Sequence, residues 1–583
     1  MHIRFGYYDT ADMVKLLPDL QSPFRLLKSS KEINKNRKQD VKMVKYEALS
    51  YVWGDEKDVL PITVNGKHFL VTRNLRDFLS QLRNKNDRRG PYWTDAICIN
   101  QNDNEEKNVQ VAMMGDIYSN CARCLAWLGE ADSKTEKAFE LLRAIEIKAR
   151  EALKVSSMDT HYRLPPYTSS KENSFRWRLY FDDVDFEKAL KDLDVWNLPV
   201  ESFSAEVYAT VYELIARKWF QRMWILQEFV LPRNFTFLCG DHTLEDVTLM
   251  VFSRLDGLAL DTNTRKIGNK TVQRDAGAQL NSYGACYLRA DFEGSKGWHS
   301  LPYCASVVGR KRQAGWPSDK IYALMAISQQ EKPFPINYSL SPAEVYREFA
   351  VHNISHSSPD VVLELFSAVG LRGEVEGLPS WVPDYTASVT AATAFTVAAH
   401  ENSWLEKIVL RESELLYMGA GGCGGRLDFS ADFKVIKASG IHFDTIKSLH
   451  TSPYVRVTSK QVKEYIAEEG LDTHSYTAYS QPLEDIIHQI ASSDSADVSS
   501  PPHRIRISKS KNIAKLEAKG LITYPTYVAE NRALIATETG YLGLGPLDSE
   551  VGDIVVVLEG QPFPFVLRRR EDGFIMVGLA YGM

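Results

Sequence analysis

Residues 46–54 read Tyr-Glu-Ala-Leu-Ser-Tyr-Val-Trp-Gly, and this stretch starts the pattern that predicts the fold. Apolar and aromatic residues dominate it, which predicts a buried strand, and Gly54-Asp55 supplies a turn at its end. Further buried strands are predicted at 92–99, 124–128 and 235–239, with amphipathic segments between them. Alternating strands and helices predict an α/β fold, in which helices cover both faces of a parallel sheet.

Helices are predicted between these strands from apolar residues spaced three and four apart. One of them has Val109, Met113, Ile117 and Tyr118 as its expected buried face. The predicted segments are, in chain order, a hairpin at 62–71 that turns at Asn65-Gly66, a helix after Thr72, a helix over about 132–155, an insertion at 156–200 and one long helix over about 204–231.

The chain on either side of this unit divides into further predicted segments. Polar, Gly-containing residues at 261–300 predict a long loop with helical pieces, whereas apolar spacing predicts helices at 320–327 and 342–355. The predicted domains are a strand hairpin at 1–45, a first domain at 46–240, a helical or mixed region at 241–400, a mixed α+β region at 401–490, a flexible Ser-rich linker at 491–512 and a small β-rich module at 513–583.

The bulk composition narrows the class of protein. Of 583 residues 44% are hydrophobic, and the net charge of −6 argues against nucleic-acid binding, because phosphates need a positive contact face. No stretch approaches the roughly 18 uninterrupted apolar residues of a membrane helix, and the first residues lack the apolar run of a signal peptide. Seven cysteines, including the isolated pair Cys121 and Cys124, indicate reduced thiols, so a cytoplasmic protein without a metal site is expected.

Several ordered blocks of sequence follow the opening strand. The blocks are, in order, 46–54, 93–101, 127–129, 219–228, 319–324, 378–384 and 540–546, and the fourth reads Trp-Phe-Gln-Arg-Met-Trp-Ile-Leu-Gln-Glu. The blocks up to residue 228 resemble a known family, the heterokaryon incompatibility (HET) domain. The later blocks resemble segments that accompany this domain.

The resemblance implies a fungal effector that triggers programmed cell death after non-self recognition. It also implies an incompatibility partner protein and self-association through the HET domain. A second resemblance, to TIR domains, implies a flavodoxin-like parallel sheet, with NAD as a substrate and no cofactor. In enzymatic TIR domains a glutamate lies four residues after a tryptophan, and Trp224 and Glu228 have this spacing.

The candidate site follows from where ligands bind in open α/β sheets, which is beyond the carboxyl ends of the strands. Glu228 is the candidate catalytic residue, because a carboxylate near the ribose could stabilise an oxocarbenium-like transition state. Aromatic faces would pack on the nucleotide, and amides would hydrogen-bond it. The candidate ligand-binding residues are Trp53, Gly54, Asp55, Asn100, Gln101 and Trp224.

Each candidate also has a structural interpretation. Trp53 and Trp224 are also expected as core aromatics, and Asn100 as a partner of backbone groups at a strand end. Asp95 is expected inside a strand, where it caps a turn or pairs with Arg222 or Lys218. Three functions therefore stay open. The first is a NAD glycohydrolase, and the second is a non-enzymatic death-signalling or allorecognition module that acts by self-association and partner recruitment. The third is a structural scaffold that uses the downstream region for allorecognition.

Overall fold

The computed structural model describes most of the chain in segments. These are residues 46–64, 67–84, 91–152, 205–257, 264–267, 270–273, 276–295, 299–309, 312–370, 373–387, 427–451, 459–468, 532–559, 561 and 564–580. The predicted hairpin at 1–45, the Asn65-Gly66 turn, the insertion at 156–200 and the linker at 491–512 lie outside them.

The described residues form strands and helices that are numbered here in chain order. The strands are β1 (Glu47–Ser50), β2 (Val59–Val64), β3 (Lys67–Thr72), β4 (Tyr92–Trp93), β5 (Arg123–Trp127), β6 (Phe235–Cys239), β7 (His242–Glu245), β8 (Thr264–Ile267), β9 (Lys270–Gln273), β10 (Asp428–Phe429), β11 (Ile436–Lys437), β12 (Gly440–Thr451), β13 (Arg532–Thr537), β14 (Leu542–Pro546), β15 (Ile554–Leu558), β16 (Pro564–Arg570) and β17 (Gly573–Leu579). The helices are α1 (Arg73–Asn84), α2 (Asp95–Cys98), α3 (Asn104–Asn120), α4 (Thr135–Ala152), α5 (Ala205–Ile215), α6 (Ile225–Val230), α7 (Asp246–Gly257), α8 (Ala276–Ser295), α9 (Leu301–Val307), α10 (Asp319–Tyr322), α11 (Pro342–His356), α12 (Pro359–Ser367) and α13 (Ser459–Glu468), and a 3₁₀ turn spans Lys218–Gln221.

The first sheet has the strand order β4-β1-β5-β6-β7. β4, β1, β5 and β6 are parallel, and β7 adds to the edge as an antiparallel hairpin partner of β6. The predicted parallel sheet is therefore confirmed, whereas its flavodoxin-like or TIR-like identity stays a prediction. The carboxyl ends of β1, β4 and β5 share one edge, where a ligand site is expected.

Both faces of this sheet are covered. Neighbouring residues of β1 point to opposite faces, so Leu49 packs with α1 and Ala48 packs in the larger core on the other side. On the α1 face, the rings of Phe78 and Trp127 stack with centroids 5.4 Å apart. The opposite face is covered by helices that include α3, α4, α5 and α6, which is the layering that the sequence predicts.

The strand predicted at 92–99 is wrong beyond its first two residues. The chain is extended through Thr94 and then turns into α2 at Asp95, whose carboxylate accepts the Ala96 amide at 2.8 Å. The run Ala96–Ile99 consists of residues that suit a buried strand or a buried helix equally, because short apolar runs carry no clear period. The turn places the Asp95 side chain at the carboxyl end of β4.

The single long helix predicted over 204–231 is wrong, because the chain is broken twice. It is extended at Arg217 and at Arg222, on either side of the 3₁₀ turn, before α6 begins. The apolar pattern continues across both breaks because all three pieces are buried. Both arginines reach the carboxyl edge of the sheet. There Arg217 donates to the Leu128 carbonyl, and Arg222 donates to the Tyr51 carbonyl.

The buried face of α3 and the region 261–300 also differ from the prediction. The predicted face of α3 is partly wrong, since Val109 is 53% exposed while Val111, Met114 and Tyr118 are buried. Apolar residues two positions apart are compatible with two overlapping buried faces of this helix, and tertiary packing determines which face is buried. The helical pieces expected in the loop at 261–300 are confirmed as the 20-residue helix α8, whereas the β8-β9 hairpin before it was not predicted.

Two helices were predicted in the region after the first sheet, and the structure has a helix at each position. The helix expected at 320–327 is reduced to α10 at Asp319–Tyr322, which is followed by turns. The helix expected at 342–355 is confirmed as α11. It begins at Ser341, whose hydroxyl accepts the Glu344 amide while the Glu344 carboxylate accepts the Ser341 amide, a reciprocal capping box.

The C-terminal part is an antiparallel sheet of order β14-β13-β12-β15-β16-β17, which confirms a β-rich module. β12 lies within the region predicted as mixed, yet it pairs with both β13 and β15, and Thr451 is opposite Ala533. The edge strands β14 and β17 approach each other, because a Cβ atom at Gly578 of β17 would lie 2.8 Å from the Pro546 side chain of β14. Arg532 of β13, the strand next to β14, also donates to the Leu579 carbonyl of β17 at 2.6 Å. The sheet therefore curls into a partial barrel.

The barrel is docked on the chain that precedes it. The Met576 amide donates to Ser380 Oγ at 3.0 Å, and Trp381 Nε1 donates to the Lys434 carbonyl at 3.0 Å. Gly370 has a φ of +86° and lies against β17 so closely that a Cβ atom there would be 2.1 Å from the Val577 oxygen. Within the described residues, no helix has the length and apolar character needed to cross a membrane.

Candidate functional site

Glu228 lies in the first turn of α6 at the carboxyl edge of the sheet, and only 3% of it is exposed. Ser50, the last residue of β1, donates its hydroxyl hydrogen to Glu228 Oε2. Trp219 Nε1 donates in turn to Ser50 Oγ at 2.8 Å, and Arg222 Nη1 lies 4.0 Å from Glu228 Oε2. The carboxyl group is thus enclosed by one hydroxyl, one indole and one guanidinium.

An aromatic cluster holds Trp219 in place beneath this carboxyl group. Its ring makes edge-to-face contacts with Phe220, Phe229 and Phe237, with centroids 5.0, 6.3 and 5.3 Å apart. Such contacts fix the ring plane as well as burying it. The direction of the indole N–H toward Ser50 is therefore set by the core of the sheet.

The electrostatic environment favours the neutral form of Glu228. Burial, and to a smaller extent the negative charge of Asp95, raise the pKa of its carboxyl group to about 7. The Arg222 guanidinium and the Ser50 hydrogen bond act in the opposite direction and are outweighed. Close to neutral pH the carboxyl group is therefore divided between its protonated and ionised forms.

Asp95 forms a second cluster at the same edge. Its carboxylate accepts from Trp53 Nε1 at 2.8 Å and from the Tyr51 hydroxyl at 3.2 Å. Burial, followed by the Asp95 charge, raises the pKa of Tyr51 well above its usual value, so this hydroxyl stays a donor. The expectation that Asp95 lies inside a strand is wrong; it begins α2, and its partners are these two aromatic residues.

The loop after β1 is held from the α1 side of the sheet. Asn74 Nδ2 donates to the Val52 carbonyl at 2.5 Å, and Trp127 Nε1 donates to Asn74 Oδ1 at 3.1 Å. Gly54 adopts a φ of +84°, a left-handed conformation that suits glycine. Asp55 is exposed and accepts the Lys57 amide at 2.9 Å, which completes a local turn.

The remaining candidates lie in different surroundings. Gln101 Nε2 donates to the Asp95 carbonyl at 3.3 Å, which joins it to the second cluster. Asn100 is exposed, and its side-chain oxygen accepts the Asn102 amide at 3.3 Å. Trp224 is half-buried and donates its indole N–H to Asp319 of α10 at 3.0 Å. The structure thus brings Trp53 and Gln101 to Asp95 and turns Trp224 toward α10; their roles as ligands stay predictions.

Sequence reasoning missed Ser50, Trp219 and Arg222 as neighbours of Glu228. Ser50 carries a usable signal, since it is a hydroxyl at the end of an otherwise apolar strand. Trp219 and Arg222 lie in the same matching block as Glu228, but their approach to β1 depends on the two breaks around the 3₁₀ turn.

Two other features bear on metal or ligand binding. Cys121 and Cys124 are buried free thiols, and burial raises the pKa of Cys121 to about 12. In the described segments no group of three or more His, Cys, Asp or Glu side chains is arranged to hold a metal ion. A groove of about 610 Å³ lies between α5 and β9, and its lining, which includes the ion pair Glu206–Lys270, contains none of the predicted site residues.

Comparisons with known proteins agree with the sequence blocks. Residues 46–228 match the family described as heterokaryon incompatibility protein (HET), and residues 457–583 match the Het-6 beta-barrel domain. Over 636 aligned positions the chain is 22% identical to heterokaryon incompatibility protein 6, OR allele, of Neurospora crassa, covering 92% of this chain and 88% of the relative. No solved structure matches. Together these matches support a fungal heterokaryon incompatibility (HET) domain protein.

Proposed function

We propose that this protein is an incompatibility effector whose HET domain cleaves NAD when it is activated, so that the cell dies after non-self recognition. The observation that carries the proposal is the Glu228 carboxyl group, buried at the carboxyl edge of a parallel sheet with a pKa of about 7. Strongly shifted carboxyl groups at such an edge are typical of functional sites. The spacing of Trp224 and Glu228, shared with enzymatic TIR domains, supports the same assignment.

The chemistry requires a carboxylate close to the ribose of the substrate. Cleavage breaks the bond between the ribose and the nicotinamide nitrogen, and nicotinamide leaves as a neutral group with the bond's electron pair. Water then supplies a hydroxyl group to the ribose and releases one proton. Ionised Glu228 would stabilise the positive charge that develops on the ribose, as carboxylates do in glycoside hydrolysis. Trp53 would offer an aromatic face and Gln101 an amide to the rest of the nucleotide.

With the Glu228 carboxyl group enclosed, the proposed enzyme is in a resting, inactive state. At 3% exposure Glu228 cannot contact a substrate, and Arg222 lies between β1 and α6, where it donates to the Tyr51 carbonyl. Activation must therefore move Arg222 or the loop after β1 away from Glu228. Self-association through the HET domain, or binding of an incompatibility partner, would supply the free energy for this movement. A lethal activity that is off by default suits a chain that fungal cells must tolerate between encounters.

The test is to express the full chain in fungal cells and to follow cellular NAD together with viability. We expect wild-type protein to lower NAD before the cells lose viability, and Glu228→Gln to abolish both effects. Glu47→Gln is the matched control, because Glu47 is a buried glutamate at the opposite end of β1, paired with Arg123 at 2.8 Å. This control should leave NAD loss intact. Equal NAD consumption by wild type and Glu228→Gln would remove Glu228 from the mechanism.

A second function is favoured by the same burial. With a hydroxyl donor and a guanidinium already beside it, Glu228 could serve only to hold α6 against β1. The HET domain would then signal by self-association and recruitment of a partner, without chemistry. Death of cells that express the wild-type chain while their NAD stays level would support this function and exclude the enzymatic one.

A further inference from the structure

The last backbone carbonyls of the short helix α6 need hydrogen-bond donors from elsewhere, because no N–H group of the helix itself reaches them. One side chain from beyond the HET match meets them. Arg289 of α8 donates from its guanidinium to the carbonyls of Phe229, Val230, Pro232 and Arg233, the last three at 3.4, 2.9 and 3.5 Å. A cation at this end also opposes the partial negative charge of the helix terminus.

Arg289 is itself held in one orientation. It is fully buried, and its Nε donates to Asp246 Oδ2 at 2.6 Å. Its guanidinium lies over the ring of Phe229 at 5.1 Å and near that of Phe235 at 5.8 Å. The planar fork of arginine serves a carboxylate and several carbonyls at once, which the single ammonium of lysine cannot do.

Residues beyond the HET match also hold the other end of this segment. The Met223 amide donates to the Gln313 carbonyl at 2.8 Å, and the Gln313 amide donates to the Gln221 carbonyl at 2.5 Å. Arg312 Nη1 donates to the Phe220 carbonyl at 2.9 Å. The backbone on both sides of Arg222 is therefore clamped by chain that lies after residue 228, as is the end of α6.

We infer that Arg289 is the positioning residue for Glu228: it anchors the end of α6 and thereby sets the carboxyl group against Ser50 and Arg222. The site of the HET domain is consequently incomplete within residues 46–228 and needs α8 of the following region. The kinetic part of this inference rests on the proposed NAD cleavage, whereas its structural part does not.

The test uses the full chain with Arg289→Lys, which keeps the buried charge, and with Arg289→Met beside it. Hydrogen exchange of residues 219–231 is measured by mass spectrometry, and NAD cleavage is measured for kcat and KM across pH. In Arg289→Lys we expect exchange of 219–231 to accelerate about tenfold while the rest of the chain is unchanged. We expect kcat to fall about tenfold with KM nearly constant, and its pH dependence to shift, because the surroundings of Glu228 change.

Arg568→Lys is the matched control, since Arg568 forms a comparable ion pair with buried Asp553 at 2.9 Å in the barrel. It should leave exchange at 219–231 at the wild-type rate. Wild-type exchange in Arg289→Lys would overturn the inference, and so would acceleration spread evenly over the chain, which would make Arg289 a general stabiliser. Local acceleration in a chain whose wild type cleaves no NAD would uphold the anchoring of α6 and reject the proposed function.

Discussion

Glu228→Gln is expected to stabilise the protein at neutral and alkaline pH, by about 3 kcal/mol in the free energy of unfolding. The folded-state pKa of about 7 is higher than the ordinary value of 4.5. The unfolded chain therefore ionises first as pH rises, and the wild type loses stability between about pH 4.5 and 7. Glutamine keeps the shape of the protonated carboxyl group and its acceptor for Ser50, but it never becomes charged.

Urea unfolding of both proteins at pH 5 and pH 8 measures this effect. The gain should be about 3 kcal/mol at pH 8 and fall below about 1 kcal/mol at pH 5, where wild-type Glu228 is protonated in the folded state. Asp58→Asn is a control of opposite sign, because the hydrogen bond from Arg73 lowers the pKa of the Asp58 carboxyl group. An equal gain at both pH values would contradict the burial of an ionisable Glu228. A variant that loses function while gaining stability is typical of functional sites.

Gly370→Ala is expected to be the most damaging small substitution at the seam between the barrel and the preceding helices. A Cβ atom at this position would lie 2.1 Å from the Val577 oxygen and 2.6 Å from Gly578 Cα, both backbone atoms of β17. The φ of +86° adds backbone strain for any L side chain. Together the clash and the strain should cost about 3 kcal/mol or more.

Gly377→Ala separates the two causes. Gly377 has a similar φ of +77°, but a Cβ atom there would meet nothing within 4 Å. Its loss should be about 1 kcal/mol, from backbone strain alone. Thermal unfolding of both variants, followed by limited proteolysis between the helical region and the barrel, gives the comparison. Equal losses in the two variants would show that the contact with β17 is not tight.

The parallel strands of the first sheet could be located because each begins a short apolar run, whereas the mostly polar edge strand β7 was not predicted. β5 and β6 follow this rule, and the helices that lie against them obey ordinary apolar spacing. The length of helix α8 could not be predicted, because its buried face includes Arg289, Asn281 and Ser282, which a pattern of apolar residues does not count. Polar groups are buried there because specific carbonyls and carboxylates receive them, and those partners are distant in sequence.

The candidate site was predictable to a similar extent. Glu228 could be named from its block and its spacing to Trp224, but its environment could not. The contact between Ser50 and Glu228 joins residues 178 positions apart, and the contact between Trp219 and Ser50 joins residues 169 apart. Such pairs depend on the strand order and on the two breaks in the chain before α6. The local secondary-structure propensity of the sequence predicts neither the strand order nor the two breaks.

The pairing of β12 with β13 has a consequence for the length of the chain that connects these two strands. Thr451 and Ala533 are opposite each other in the ladder, so the chain leaves the barrel and returns to it at neighbouring points. Lengthening a connection between two fixed points costs little, because the entropy of closing it grows only with the logarithm of its length. The connection between these two points, which includes α13, can therefore change in length at little cost in free energy while the barrel keeps its strand order.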